Sequence, residues 1–381
     1  YFYNNNMKRY LFIIILILLV NPPSNADHDS FPYGFSFFPK YKIEGSDQYR
    51  QFKTKLIKDK LIKKQIKNFK KTGLVSYIFY ENGSITIDEK SPGYWPDGTK
   101  ESERLFKSNS VGKSLTSYVI GHAICEGYVD GVNVVMNDWP IIKNTLYDGQ
   151  KLIDVLNMTA GDQDYIGKRK FEKDDLLKGS AARSANLLAL RYLMENNLQN
   201  TKKSKPVYNY SALATHVALN YTIFKTGKNY QNLLSKVFNE HVRVKNSVYF
   251  LRNSKDETIG SGRYTFFATR YDYLRIAQTI MEDWKNDTCV GKYLKSIYEN
   301  RIDKNTKVTN RYNSIFSATK KYGGQFHFDV VGLEKKKIIG LDGLGGQQII
   351  IDIDNNKIIV INSIYNHYNW KKIVYKKLKN K

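Results

Sequence analysis

Phe106-Lys107-Ser108-Asn109-Ser110-Val111-Gly112-Lys113-Ser114-Leu115-Thr116-Ser117 places a serine three residues before a lysine at the opening of a helical pattern. Val111, Leu115, Val119, Ile120 and Ala123 recur behind it at helical spacing. Ser110 and Lys113 therefore fall one turn apart on one face of a helix start. A serine hydroxyl is a weak nucleophile at neutral pH and needs a neighbouring base. A lysine amine can be that base where burial or nearby charge favours its neutral form.

The same residues admit plainer readings. Gly112-Lys113-Ser114 has the ending of a phosphate-binding loop, but Lys107 stands where that loop requires its first glycine, which argues against nucleotide binding. Ser-x-x-Lys also fits an ordinary capped helix, so the motif gains meaning only from the rest of the chain.

At 381 residues the chain can bury a large core, as one large domain or two closely packed ones. Its 41% apolar and 14% aromatic content belongs to a globular protein. A net charge of +24 would ordinarily suggest nucleic acid or an anionic surface as partner. Here the lysines are spread along the whole chain among many Asn, Ile and Tyr residues, a general bias rather than a basic patch, and no nucleic-acid partner is expected. Cys125 and Cys289 could pair in an oxidising compartment but do not form a disulfide scaffold. The six histidines include no His-Glu-x-x-His pattern, and the cysteines lack partners at ligand spacing. No metal and no organic cofactor is expected, and His122 and His216 read as core or solvated residues.

Met7-Lys8-Arg9, the apolar run Tyr10 to Val20 and the small-residue ending Ser24-Asn25-Ala26 have the form of a signal peptide over residues 1–26, cut after Ala26. The apolar run is short for a membrane span, although an uncleaved anchor is the competing reading. No cysteine lies near the cut to carry a lipid. The mature chain is expected to be periplasmic or secreted, with no stable membrane insertion.

Phe52, Leu56, Leu61, Ile62, Ile66 and Phe69 form one stripe of a lysine-rich helix expected over residues 46–71. Strands Leu74 to Tyr80 and Ser84 to Asp88 flank Asn82-Gly83, a strong hairpin signal. Residues 119–300 read mainly as helices and loops, with helices over Leu152 to Met158, Ala181 to Glu195, Ala212 to Thr226 and Asp272 to Trp284. Thr269-Arg270-Tyr271-Asp272 supplies a capping-box-like start for the last. Isoleucine-rich strands return at Ile338 to Ile339, Gln347 to Ile353 and Lys357 to Ile364, and a helix from Trp370 to Lys381 could close the sheet. The expected fold is α/β (α+β). An antiparallel sheet is built from residues 27–105 and 320–381 with terminal helices on it, and a large, mainly helical region, 106–319, carries the Ser110 helix. An active site belongs at their junction.

Two further stretches match the needs of acyl transfer. Pro206-Val207-Tyr208-Asn209-Tyr210-Ser211-Ala212 opens a helix, and the Tyr210 phenol could shuttle a proton between serine, lysine and leaving group. Asp342-Gly343-Leu344-Gly345-Gly346-Gln347-Gln348 runs into a strand, where glycines let a substrate approach and a peptide N–H can face an oxyanion. With these in hand the chain resembles the serine β-lactamase-like superfamily, in the branch of class C β-lactamases, D-Ala-D-Ala peptidases, family VIII esterases and 6-aminohexanoate-dimer hydrolases. Ser110-Val111-Gly112-Lys113 matches the first motif, Tyr210-Ser211-Ala212 the second and Leu344-Gly345-Gly346 the third. Leu156 to Gly161, Gly262 to Ala277 and Tyr322 to Gly324 are similar to supporting stretches, so that the resemblance spans residues 70–365.

The resemblance implies a β-lactamase/transpeptidase-like fold and a serine hydrolase. Ser110 is its nucleophile, Lys113 with Tyr210 its proton acceptor, and the N–H groups of Ser110 and Gln347 its oxyanion donors, with Gly345 and Gly346 lining the approach. Two departures bear on substrate. Ala212 stands where the family has Asn or Ser, and Leu344 where it has Lys or His, which leaves no cation for a substrate carboxylate. An ester or internal amide is thereby favoured over a β-lactam or a D-Ala terminus. The alternatives are a β-lactamase or D-Ala-D-Ala carboxypeptidase, and a non-catalytic envelope binding protein on the same fold.

Overall fold

The computed structural model describes residues 35, 38–91, 104–165, 190–252, 262–305 and 313–380. The expected signal peptide and the first part of the helix expected over residues 181–195 lie outside them. No helix among the described residues is long and apolar enough to cross a membrane.

The Asn82-Gly83 turn is built as the sequence requires. Both residues take positive φ, 48° and 80°, and join strands Leu74–Glu81 and Ser84–Lys90 in an antiparallel hairpin. On the other side of Leu74–Glu81 lies the C-terminal strand Lys357–Ser363, so chain segments nearly three hundred residues apart form the middle of one sheet. Among the described residues that sheet has nine strands. Their order is Ile302–Asp303, Thr319–Gly323, Phe326–Val330, Ile338–Gly343, Gln347–Asp352, Lys357–Ser363, Leu74–Glu81, Ser84–Lys90 and Lys53–Thr54. All neighbours are antiparallel except the last pair.

Side chains alternate across a strand, and here both faces are covered. Val75, Ile78, Leu341, Ile349, Ile351, Ile358 and Val360 face the main core with the helical region. Leu74, Tyr77, Phe79, Ile350, Ile359 and Ile361 face a second core closed by Ile62 and Ile66 and by Trp370, Ile373, Val374 and Leu378. Double burial explains why these strands read as unbroken isoleucine runs rather than as an apolar–polar alternation.

The N-terminal helix differs from expectation. It begins only at Lys60, where the Asp59 carboxylate accepts from the N–H groups of Leu61 and Ile62, and it ends at Lys67. The preceding residues run extended, with Lys53–Thr54 pairing parallel to Ser84–Ile85, and Phe52 packs edge-on against Tyr80. The apolar stripe over residues 52–69 is thus shared between a strand and a helix. The helical middle also holds a small sheet that its aromatic residues had not revealed. Lys40–Ile43, Val248–Arg252, Gly262–Ala268 and Phe106–Lys107 pair in that order, and the last strand leads directly to Ser110.

Helix Val111–Cys125 is buried along twelve of its fifteen residues. Its polar side chains are satisfied internally: Ser114 Oγ donates to the Gln325 carbonyl at 2.6 Å, and Ser117 shares a 2.7 Å hydrogen bond with Tyr293. Its last residue, Cys125, is disulfide-bonded to Cys289, with the Cα atoms 5.9 Å apart. The bridge closes a loop with a sequence separation of 164, which restricts the unfolded chain strongly. The Cys125→Ser/Cys289→Ser variant is expected to lose about 2–5 kcal/mol of stability, read as a lower urea midpoint.

Candidate active site

Lys107 ends a strand, and after Ser108 the chain turns into the helix through Asn109, whose φ of 48° is the left-handed conformation that asparagine tolerates. Asn109 Nδ2 then donates to the Leu344 carbonyl at 2.6 Å, fastening the serine turn to the edge of the large sheet. Ser110 occupies the helix N-cap, yet its hydroxyl makes no capping bond. That hydroxyl lies within hydrogen-bonding reach of the Tyr210 hydroxyl. A group that caps most helix starts is here left for another partner.

Lys113, one turn on, is 1% exposed. Its Nζ donates to the Ser211 carbonyl at 2.8 Å and stands 4.6 Å from the ring centres of both Tyr210 and Tyr264. Burial among aromatic rings drives the amine down from its ordinary value to about 7, because the charged form loses its hydration without gaining a carboxylate. The same enclosure holds the Tyr210 phenol well above its ordinary value, only partly offset by its bond to Ser110. At neutral pH the Tyr210 phenol therefore keeps its proton, whereas Lys113 is poised between its two forms.

The Tyr210 segment is held from below. Asn209 Nδ2 donates to Asp162 Oδ1 at 2.7 Å, and Tyr147 donates to the other oxygen of that buried carboxylate at 2.9 Å. The Asn209 N–H reaches the Met158 carbonyl at 2.8 Å, and Ser211 caps the helix Ala212–Thr226 through the Ala214 N–H at 3.1 Å. The Met158–Asp162 stretch thus sets where the phenol stands. Ala212 is the first helical residue and has no polar group to offer.

The glycine segment meets the site one turn earlier than the sequence suggests. Ile338–Gly343 pairs with Gln347–Asp352, and Leu344-Gly345-Gly346 is the connecting turn. A Cβ on Gly343 would lie 2.6 Å from the Ser108 carbonyl and 3.3 Å from Asn109 Cβ, so this glycine abuts the serine turn. Gly345 and Gly346 instead face the end of the neighbouring strand, near the Ile364 carbonyl and the Ser363 and Tyr368 hydroxyls. The Gln347 side chain donates to the Ser363 carbonyl and accepts from Asn362 at 3.3 Å, pointing into the sheet. Thus Gly343, rather than Gly345 or Gly346, makes the close approach to the serine turn, and Leu344 beside it is 72% exposed at the rim. The physical reason is the hairpin register: the pairing of Gly343 with Gln347 places the turn beyond the close approach.

The sequence reading also passed over Tyr264, Asn109 and Asp342. Tyr264 walls in Lys113, and its carbonyl stands where a Cβ on Gly112 would come to 1.9 Å. Asp342 accepts from the Phe316 N–H at 3.4 Å, and burial raises its carboxyl to about 7. The only sequence signal for these was their place in stretches already singled out: Gly262 to Ala277 for Tyr264, the serine stretch for Asn109 and the glycine segment for Asp342.

A serine and a lysine at the head of a buried helix thus lie beside aromatic rings and the edge of the large sheet. The chain shares the fold of the serine β-lactamase-like superfamily, as solved structures show. A Bacillus anthracis protein provisionally designated a 6-aminohexanoate-dimer hydrolase superimposes with a TM-score of 0.63 at 16% identity, over 94% of this chain and 96% of its own. A Bacteroides dorei protein provisionally designated a β-lactamase gives 0.56 at 14% identity, over 84% and 98%. FmtA from Staphylococcus aureus gives 0.52 at 15% identity, over 87% and 93%. No protein-family model and no curated protein sequence matches the chain.

Proposed function

We propose that the protein is an exported serine hydrolase that cleaves an ester or amide through an acyl-enzyme on Ser110. The observation that carries this reading is the buried Lys113 amine, brought to about 7 one turn from a serine whose hydroxyl reaches Tyr210. Ser110 Oγ attacks the carbonyl carbon while its proton passes to Lys113, with Tyr210 as relay. The N–H groups of Ser110, at the helix start, and Leu344, beside Gly343, hold the oxyanion. As the tetrahedral intermediate collapses, the proton goes to the departing alcohol or amine. Water then attacks the Ser110 ester, gives its proton to Lys113, and the serine hydroxyl is restored as the acid leaves. All groups are supplied by the chain, and the substrate is a small ester, an amide or a short peptide. The Cys125–Cys289 bridge supports the periplasmic or secreted location, since such bonds persist in oxidising compartments.

The residues flanking Gly343 bear on substrate choice. Leu341 and Asp342 on one side and Leu344 on the other provide no cation for a substrate carboxylate, which favours neutral esters and internal amides over β-lactams. A fluorophosphonate probe should label the folded protein once per chain. Short-chain aryl esters should be turned over in preference to a chromogenic cephalosporin or a D-Ala-D-Ala peptide. Preference for the cephalosporin would support the β-lactamase reading instead, and a folded protein that takes no label would be a binding protein.

The two glycine positions separate the site from its scaffold. Gly343→Ala should push against the Ser108 carbonyl and cut kcat/KM by about 10–100-fold, the scale of an ångström misplacement of reacting groups. Gly346→Ala strains a residue at φ +85° against Ser363, and its main effect should be a lower Tm. Equal losses of kcat/KM in both would place the oxyanion edge elsewhere.

A further inference from the structure

Helix Val111–Cys125 carries a second cluster at its other end. From Ser110 to His122 the helix runs roughly 18 Å at its usual rise, so this cluster is separate from the candidate active site. His122 on that helix, His241 at the end of the helical segment Lys236–His241 and Asp283 on helix Arg270–Lys285 bring one ligand atom each to within 4.8 Å of one another. His241 Nε2 lies 3.0 Å from both Asp283 oxygens. The His122 and His241 rings are 5.0 Å apart, and His122 Nε2 is buried without a hydrogen-bond partner.

An ion pair between His241 and Asp283 would account for two of these groups, but not for a third, buried nitrogen left unsatisfied beside them. Such a nitrogen costs free energy unless something occupies its lone pair or proton. From this geometry we propose that His122, His241 and Asp283 form a binding site for a divalent transition metal ion such as Zn2+.

Two histidines and a carboxylate are a donor set suited to such ions. Two donors on one tetrahedral zinc stand about 3.3 Å apart, close to the 3.0 Å already held by His241 and Asp283. A small rotation of the imidazoles closes the remaining gap. The supporting shell is in place. Asp283 accepts from the Tyr118 hydroxyl at 2.5 Å and from Thr288 Oγ1 at 2.9 Å, which fixes the carboxylate's orientation. The His241 side chain is 38% exposed, giving the ion a route from solvent and room for water as a fourth ligand. The three residues come from three helical segments, and the Cys125–Cys289 bridge ties two of those neighbourhoods together. Bound metal would thus clamp the same end of the helical region as the disulfide.

The test is competition for Zn2+ between the untagged, disulfide-intact full chain and a chromogenic zinc indicator at pH 7.5. The expected result is one Zn2+ per chain, weakened at least about tenfold in His241→Ala and in Asp283→Asn, with fluorophosphonate labelling of Ser110 unchanged. Zn2+ should raise Tm in the parent chain and not in His241→Ala. His241 is at the surface, so that variant stays informative even if changes at the partly buried His122 impair folding. Absence of stoichiometric binding, or undiminished affinity in folded His241→Ala, overturns the site.

Discussion

Ser110→Ala is expected to lower kcat toward an aryl ester by at least about 10⁴-fold, the scale on which loss of a nucleophile abolishes covalent catalysis. The stability of the variant should stay within about 0.5 kcal/mol of the parent. The reason is local: the Ser110 hydroxyl caps nothing and lies near the Tyr210 phenol. Its removal therefore leaves the helix start and the Asn109–Leu344 tether intact. Stopped-flow release of a nitrophenol should show a burst in the parent and none in the variant, and probe labelling should vanish with it. Retention of more than about 1% of the parent kcat by a folded Ser110→Ala protein would sink the nucleophile assignment.

Lys113→Met should reduce kcat/KM by about 10²–10⁴-fold, the range for loss of a general base. Methionine keeps most of the volume among Tyr210 and Tyr264 and removes a costly buried amine. It also leaves the Ser211 carbonyl without its donor, a loss of about 1 kcal/mol, so Tm should change little. Lys113→Arg should be as inactive, because a guanidinium stays charged and cannot accept the proton. The pH dependence gives the sharper reading. The amine's affinity for its proton is depressed by burial to about 7, so the fraction able to act as base grows as pH rises through that value. Parent kcat/KM should climb with pH, half-maximal near 7, and that limb should be absent from the residual activity of Lys113→Met. A parent profile flat from pH 6 to 9 would assign the proton to another group.

The candidate site was legible in the sequence to different depths. Ser110 and Lys113 were readable as a pair because helical geometry fixes residues three apart on one face, whatever surrounds them. Tyr210 was one of 29 tyrosines and stood out only through its stretch and its order after the serine. Within the glycine segment the sequence did not show which glycine abuts the serine turn, since the register of a hairpin decides which one meets the neighbour. The His122–His241–Asp283 cluster was not legible, because nothing in the spacing of these residues brings helices so far apart in the chain together.

By itself the sequence determined the elements that local backbone preference can write: the Asn82-Gly83 hairpin, the isoleucine strands, the Thr269-capped helix and the serine–lysine turn. Tertiary structure alone decided that Tyr210 stands near Ser110, that Gly343 rather than Gly346 touches the serine turn, and that burial weakens the hold of the Lys113 amine on its proton. The division has a physical cause. Periodicity and turn chemistry act over a few residues along the chain, whereas close approach and loss of hydration depend on whichever distant segments happen to pack around a group.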